Sequence, residues 1–126
     1  MSTILIVEDN EKNMKLARDV LQSKGYAIVE ATTGEEGVRL AIANKPDLVL
    51  MDIQLPGING MEALRQVRAD SACAGIPVVA FTASVTPTDR SQIAAAGFDG
   101  FISKPINLKE FLDTVKRLLE SGRSCA

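Results

Sequence analysis

The sequence contains no histidine and only two cysteines, Cys73 and Cys125, which stand far apart without metal-ligand spacing. That removes the usual ligands of zinc, copper and iron centres, and two distant thiols do not make a disulfide scaffold, so idle, reduced cysteines are expected. Long hydrophobic runs are missing as well. The longest, 48–51 and 76–83, are far shorter than the roughly 20 residues a membrane span needs. No basic cluster stands out, and the net charge is −2, which argues against nucleic acid or an anionic membrane as a direct partner. Met1 is followed almost directly by a strand pattern rather than by a signal peptide, so a cytoplasmic protein is expected.

What is present is an ordinary globular composition, 46% hydrophobic and 24% charged, in 126 residues. This is enough chain for one core and too little for two, so a single domain over 1–126 is expected. No repeat or linker interrupts it. Short β-branched runs alternate with helical patterns throughout: TILIV then 10–24, AIVEA then 33–43, LVLMD then 59–70, PVVAFTA then 87–96, FIS then 108–121. Five βα units predict an α/β fold in which a doubly wound parallel sheet is covered by helices on both faces.

Helix starts are marked chemically. Thr33, Asn59 and Asn107 each stand three residues before a glutamate, and Thr86 precedes a proline suited to the first helical position. Gly25 and Gly97 fall where the first and fourth helices should end in a left-handed turn. In the last helix Leu108, Phe111, Leu112, Val115, Leu118 and Leu119 recur at helical spacing and predict a stripe packed on the sheet.

Polar residues stand at four of the five strand ends: Glu8 and Asp9 after the first strand, Asp52 closing the third, Thr82 on the fourth and Lys104 after the fifth. In an open parallel sheet, ligands bind beyond the carboxyl ends of the strands where the winding reverses. A common five-strand order, 2-1-3-4-5, makes the first and third strands neighbours and would bring Glu8, Asp9 and Asp52 into one crevice. Carboxylates roughly 4 Å apart repel by about 4 kcal/mol per pair at an effective dielectric near 20. Three such pairs approach the whole stability of a domain, about 5–15 kcal/mol. The single charge of Lys104 does not balance three carboxylates, so a divalent cation is the natural complement, and hard oxygen ligands suit Mg²⁺. A metal, a lysine, a hydroxyl and one central carboxylate are the parts of phosphoryl transfer, with Asp52 as nucleophile. Taken singly, each residue has a plainer role as a turn former, strand terminus or solvated charge. Their convergence on one sheet edge is what favours chemistry.

The ordered set ILIVEDN, DLVLMDIQLPGINGMEALRQVR, IPVVAFTA and FISKPI resembles the receiver domains of two-component response regulators over nearly the full length. The resemblance implies the flavodoxin-like or CheY-like (βα)5 fold. It also implies Asp52 as phosphoacceptor, Asp9 as Mg²⁺ ligand with Glu8 as its acidic partner, and the main-chain carbonyl of Gln54 as a further ligand. Thr82 corresponds to the switch hydroxyl, Lys104 to the lysine that pairs with the phosphoryl group, Pro105 to a proline whose preceding peptide bond is usually cis, and Phe101 to the switch aromatic. Two departures are mild: Glu8 replaces the commoner aspartate and Phe101 the frequent tyrosine.

A histidine kinase or histidine phosphotransfer protein would supply the phosphoryl group. A target protein would read the face formed by the fourth helix, fifth strand and fifth helix. Asn13, Met14 and Ala17 of the first helix could dock the donor, although Met14 and Ala17 could equally be core. The expected protein is a monomeric, single-domain bacterial regulator that catalyses only its own phosphorylation and slow dephosphorylation. A receiver domain from a hybrid sensor kinase is the alternative. A haloacid dehalogenase-type phosphatase would carry a second aspartate two residues after the nucleophile, where Gln54 stands, and a flavodoxin-like cofactor carrier would need a Ser/Thr/Gly-rich loop where EDNEKN is acidic.

Overall fold

Helices begin where a side chain can satisfy the free amides of a first turn. In the computed structural model, Asn10 Oδ1 accepts from the amides of Lys12 and Asn13 at 3.0 and 3.1 Å, opening α1 (Glu11–Ser23). Thr33 Oγ1 accepts from Glu36 N at 3.1 Å, opening α2 (Gly34–Asn44). Glu36 reaches back to the amide of Thr32, one residue earlier than a reciprocal capping box requires. Asn107 accepts from Glu110 N at 3.1 Å ahead of the helix Leu108–Ser121. The structure describes residues 2–53, 58, 60–70, 75–82, 87–103 and 107–121, and for residues 82, 87–90, 94, 103 and 121 the backbone alone. The readings of Gln54, Asn59, Cys73, Thr86, Lys104, Pro105 and Cys125 lie outside the described residues.

The five strands are β1 (Thr3–Val7), β2 (Ala27–Ala31), β3 (Leu48–Asp52), β4 (Val78–Thr82) and β5 (Gly100–Ser103), with α3 (Gly60–Ala69), α4 (Pro87–Ala96) and α5 (Leu108–Ser121) completing the alternation. The sheet is parallel, in the order β2-β1-β3-β4-β5 that the sequence predicts. Gly25 and Gly97 have φ of +89° and +105°, as expected of left-handed caps. The cap of α2 is instead Lys45, a non-glycine residue at φ +47°.

Because β3 is buried along its whole length, its side chains alternate between two cores. Val49 and Met51 join Leu5, Val7, Leu64 and Ile93 beneath α2, α3 and α4. Leu48 and Leu50 join Ile6, Leu21, Phe81 and Phe111 beneath α1 and α5. Phe81 and Phe111 stack with ring centroids 6.5 Å apart. Phe111, Val115 and Leu118 form the buried stripe of α5, whereas Leu108, expected to belong to it, lies at the helix start and is half exposed. Met14 and Ala17 are buried in the core beneath α1, which decides between their two readings in favour of core packing.

At the amino ends of the strands, Arg68 and Asp99 form a largely buried ion pair at 2.8 Å. Arg68 Nη1 also donates to Ile76 O at 2.6 Å, and Asp99 Oδ2 accepts from Val78 N at 2.8 Å, so one pair ties the end of α3 to the entries of β4 and β5.

Candidate functional site

The site is set by register. Val7 pairs with Met51 across β1 and β3, and both chains run on in the same direction, so Glu8 and Asp52 stand abreast at the carboxyl edge. Among the contacts that hold Glu8, its amide donates to Ala31 O at 3.0 Å, and its Oε1 accepts from Asn10 N at 3.0 Å. Its side chain is therefore held against the start of α1 and is buried; Asp52 is 4% exposed, and Asp9 is exposed.

Glu8, Asp9 and Asp52 each present a carboxylate oxygen within 4.8 Å of the others. At that separation a pair of charges repels by roughly 3–4 kcal/mol at an effective dielectric near 20, with solvent screening reducing the share of Asp9. A buried pair of carboxylates and a third at the mouth is a donor set of hard oxygens, with one side open. It fits a divalent cation that keeps part of its water shell, as Mg²⁺ does.

The backbone around Asp52 is tightly arranged. Ile53 N donates to Phe81 O at 3.3 Å and Gly60 N to Ile53 O at 2.9 Å, so the loop leaving Asp52 returns to its own base before α3 begins. A Cβ on Gly60 would collide with the carbonyl oxygen of Asp52 and lie 2.7 Å from Ile53 Cα, so only glycine lets α3 start against the end of β3. Beside the carboxylates a cleft of about 390 Å³ opens between α1 and β2, with Met14, Lys15, Arg18 and Thr32 on its walls.

The residues singled out in the sequence are thus divided. Glu8, Asp9 and Asp52 are brought together. Thr82 ends β4, paired in register with Ser103, on the strand next to β3; its side chain is not described. Phe101 lies on β5, partly buried against the core under α4. Gln54 and Lys104 lie outside the described residues. Sequence reasoning missed the bond from Ile58 N to Glu35 Oε1, 3.2 Å across 23 residues, for which no local pattern exists.

The profile of the response regulator receiver domain family matches residues 4–116. The chain belongs to that family. This receiver domain is 42% identical over 117 residues to the polar-differentiation response regulator DivK of Brucella anthropi, covering 93% of this chain and 95% of DivK, and equally so to DivK of Brucella ovis. Among solved structures it is similar to the receiver domain of a sensor histidine kinase of Pseudomonas aeruginosa, with a TM-score of 0.89 and 32% identity over 95% of this chain and 98% of that one. That structure holds a magnesium ion in its active-site cleft. The chemotaxis response regulator CheY4 of Vibrio cholerae superposes with a TM-score of 0.88 at 27% identity, covering 94% of this chain and 98% of CheY4. The receiver domain described here is a component of two-component signalling, with an acidic cluster compatible with magnesium and, among the described residues, no helix long and apolar enough to cross a membrane.

Proposed function

We propose that Asp52 is the phosphoacceptor of a cytoplasmic response regulator, charged by the phosphohistidine of a histidine kinase or histidine phosphotransfer protein. The observation that carries this reading is the meeting of three carboxylates at one strand edge, with Asp52, on the central strand, buried behind the exposed Asp9. Glu8, Asp9, Asp52 and the main-chain carbonyl of Gln54 would hold Mg²⁺, Glu8 directly or through a bridging water. When bound, the cation supplies the positive charge that offsets the phosphoryl oxygens.

An oxygen of Asp52 forms the new bond to phosphorus as the phosphorus–nitrogen bond of the donor breaks. The electron pair leaves with the imidazole, which takes a proton from solvent. Lys104 neutralises phosphoryl charge, and the Thr82 hydroxyl donates to a phosphoryl oxygen. Closure of Thr82 leaves room for Phe101 to turn inward, and the α4-β5-α5 face then changes its affinity for a target protein. This is a bias between two states set by one added charge. The output is protein binding, and the chain has no turnover of its own beyond gaining and slowly losing the phosphoryl group.

The likeness to DivK over 95% of that protein favours a regulator of the single-domain kind, here a monomer over 1–126. A receiver domain of a hybrid kinase is the second reading, favoured by the similarity to the Pseudomonas aeruginosa kinase domain.

The test is intact-mass measurement after incubation with a small acyl phosphate, with and without Mg²⁺, for wild type and Asp52→Asn. Wild type should gain one phosphoryl group only with Mg²⁺, and the variant none. Equal gain by both proteins would place the acceptor elsewhere.

A further inference from the structure

The loop that carries the chain away from Asp52 is closed at its base by the bonds from Ile53 to Phe81 and from Gly60 to Ile53. Near its far end it is gripped by a different element, the first turn of α2, through two independent contacts on one residue. The amide of Ile58 donates to Glu35 Oε1 at 3.2 Å. A Cβ built on Gly34 would lie 2.6 Å from both the carbonyl oxygen and Cγ1 of Ile58, so the loop backbone rests directly on the helix there. Glu35 is exposed and belongs neither to the carboxylate cluster nor to the core.

We infer that Gly34 and Glu35 are positioning residues for the phosphoacceptor site, holding Ile58 so that Gly60, two residues on, keeps its place against the Asp52 carbonyl at the end of β3. This rests on the metal-dependent reading proposed above. The physical reason is short reach: Ile58 is two residues from Gly60, each residue spans at most about 3.6 Å, and Gly60 donates to Ile53 O and packs on the Asp52 carbonyl, so a shift at Ile58 is passed to the end of β3. A carboxylate oxygen accepting from a backbone amide is a charge-assisted bond and holds its partner better than a neutral acceptor. Glycine at position 34 is required because a Cβ there would meet the backbone carbonyl of Ile58 as well as its side chain.

Two plainer roles of Glu35 predict different behaviour. An acid in a first helical turn interacts favourably with the helix dipole, which would affect stability alone. An acid near a cation site also adds to its negative field, and Glu35→Gln would then weaken metal binding as much as Glu35→Ala. A positioning role requires the Gln variant, which keeps a side-chain oxygen acceptor, to rescue what the Ala variant loses.

The experiment titrates the full chain with Mg²⁺ alone, following binding by calorimetry, for wild type, Glu35→Gln, Glu35→Ala and Gly34→Ala. Amide exchange at Ile58 is measured in metal-free protein. Glu35→Ala should weaken Mg²⁺ by about three- to tenfold, the worth of one net hydrogen bond, and speed exchange at Ile58, with Glu35→Gln within about twofold of wild type. Gly34→Ala should weaken the metal similarly or more; if it fails to fold, the Glu35 pair decides alone. Equal Mg²⁺ affinity in wild type and Glu35→Ala overturns the inference and leaves the site reading standing. Equal weakening by Gln and Ala overturns it in favour of the electrostatic field. Wild type that binds no Mg²⁺ refutes the metal reading itself, and the inference with it.

Discussion

Replacing Asp52 with asparagine should make the metal-free protein more stable, although it removes the residue on which the proposed function depends. The side chains are nearly the same shape, so packing against Gly60 and the end of β3 is kept while one charge is lost. Asp52 lies within 4.8 Å of the carboxylate oxygens of both Glu8 and Asp9. At an effective dielectric near 20, the buried Glu8 partner alone accounts for roughly 3–4 kcal/mol of repulsion, and the exposed Asp9 adds a smaller, salt-screened amount. Asparagine keeps one oxygen acceptor but changes the other to a donor, which offsets part of the gain. A net stabilisation of about 2–3 kcal/mol is expected, a rise in Tm on the order of 5–15 °C for a chain of this size.

The assay is urea and thermal unfolding followed by far-ultraviolet circular dichroism in a chelator, then repeated in Mg²⁺. Added Mg²⁺ should stabilise wild type by binding the folded state alone, and should do so much less for the variant, so the two curves approach one another. The gain should shrink in high salt. A variant of equal or lower stability in chelator would mean that the carboxylates do not oppose one another when no metal is bound, and the electrostatic argument for a cation would fail.

Asp99→Ala should destabilise the fold by about 2–4 kcal/mol, because it removes the carboxylate that faces the largely buried Arg68 guanidinium and the acceptor of Val78 N. Asp99→Asn should cost less, and a loss below about 1 kcal/mol for Ala by chemical denaturation would show the clamp to be inert. The Arg65 guanidinium, hydrogen-bonded to Glu62, holds that carboxyl below its ordinary value of 4.5. A lowered folded-state pKa contributes stability that is fully present above the ordinary value and is lost as pH falls below it; both groups are exposed, so the effect is small and salt-sensitive. In Arg65→Ala the Glu62 titration, followed by nuclear magnetic resonance, should move up toward the ordinary value, and an unmoved midpoint would exclude the pairing.

Much of the architecture could be read before the structure because it rests on local chemistry. Thr33 and Asn107 cap helices by bonds that span three residues, and the alternation of apolar runs dictates a parallel sheet covered on both faces. Glu8, Asp9 and Asp52 were legible for another reason: position at a strand end is a sequence property, and the strand order turns it into proximity. Met14 and Ala17 could be read either as surface or as core, since helical spacing shows a stripe but not which way it faces; burial decides for core.

The contacts that escaped are those joining distant segments through single side chains. Asp99 meets Arg68 across 31 residues and Glu35 meets Ile58 across 23, and neither residue differs in type from any solvated charge. Lys45 escaped because lysine has no local preference for the left-handed conformation it adopts. Leu108 shares the spacing of the α5 stripe yet lies half exposed, since a helix's first residue sits at the margin of the face its successors bury.

The sheet divides the interior so completely that consecutive residues of β5 belong to different halves: Phe101 packs with the core under α4, and Ile102 with the core under α1 and α5. A rearrangement that begins at Phe101 can therefore repack one half and leave the other as a fixed foundation. The two halves are also separable in substitution: changes beneath α1 and α5 can accumulate without touching the packing around Phe101.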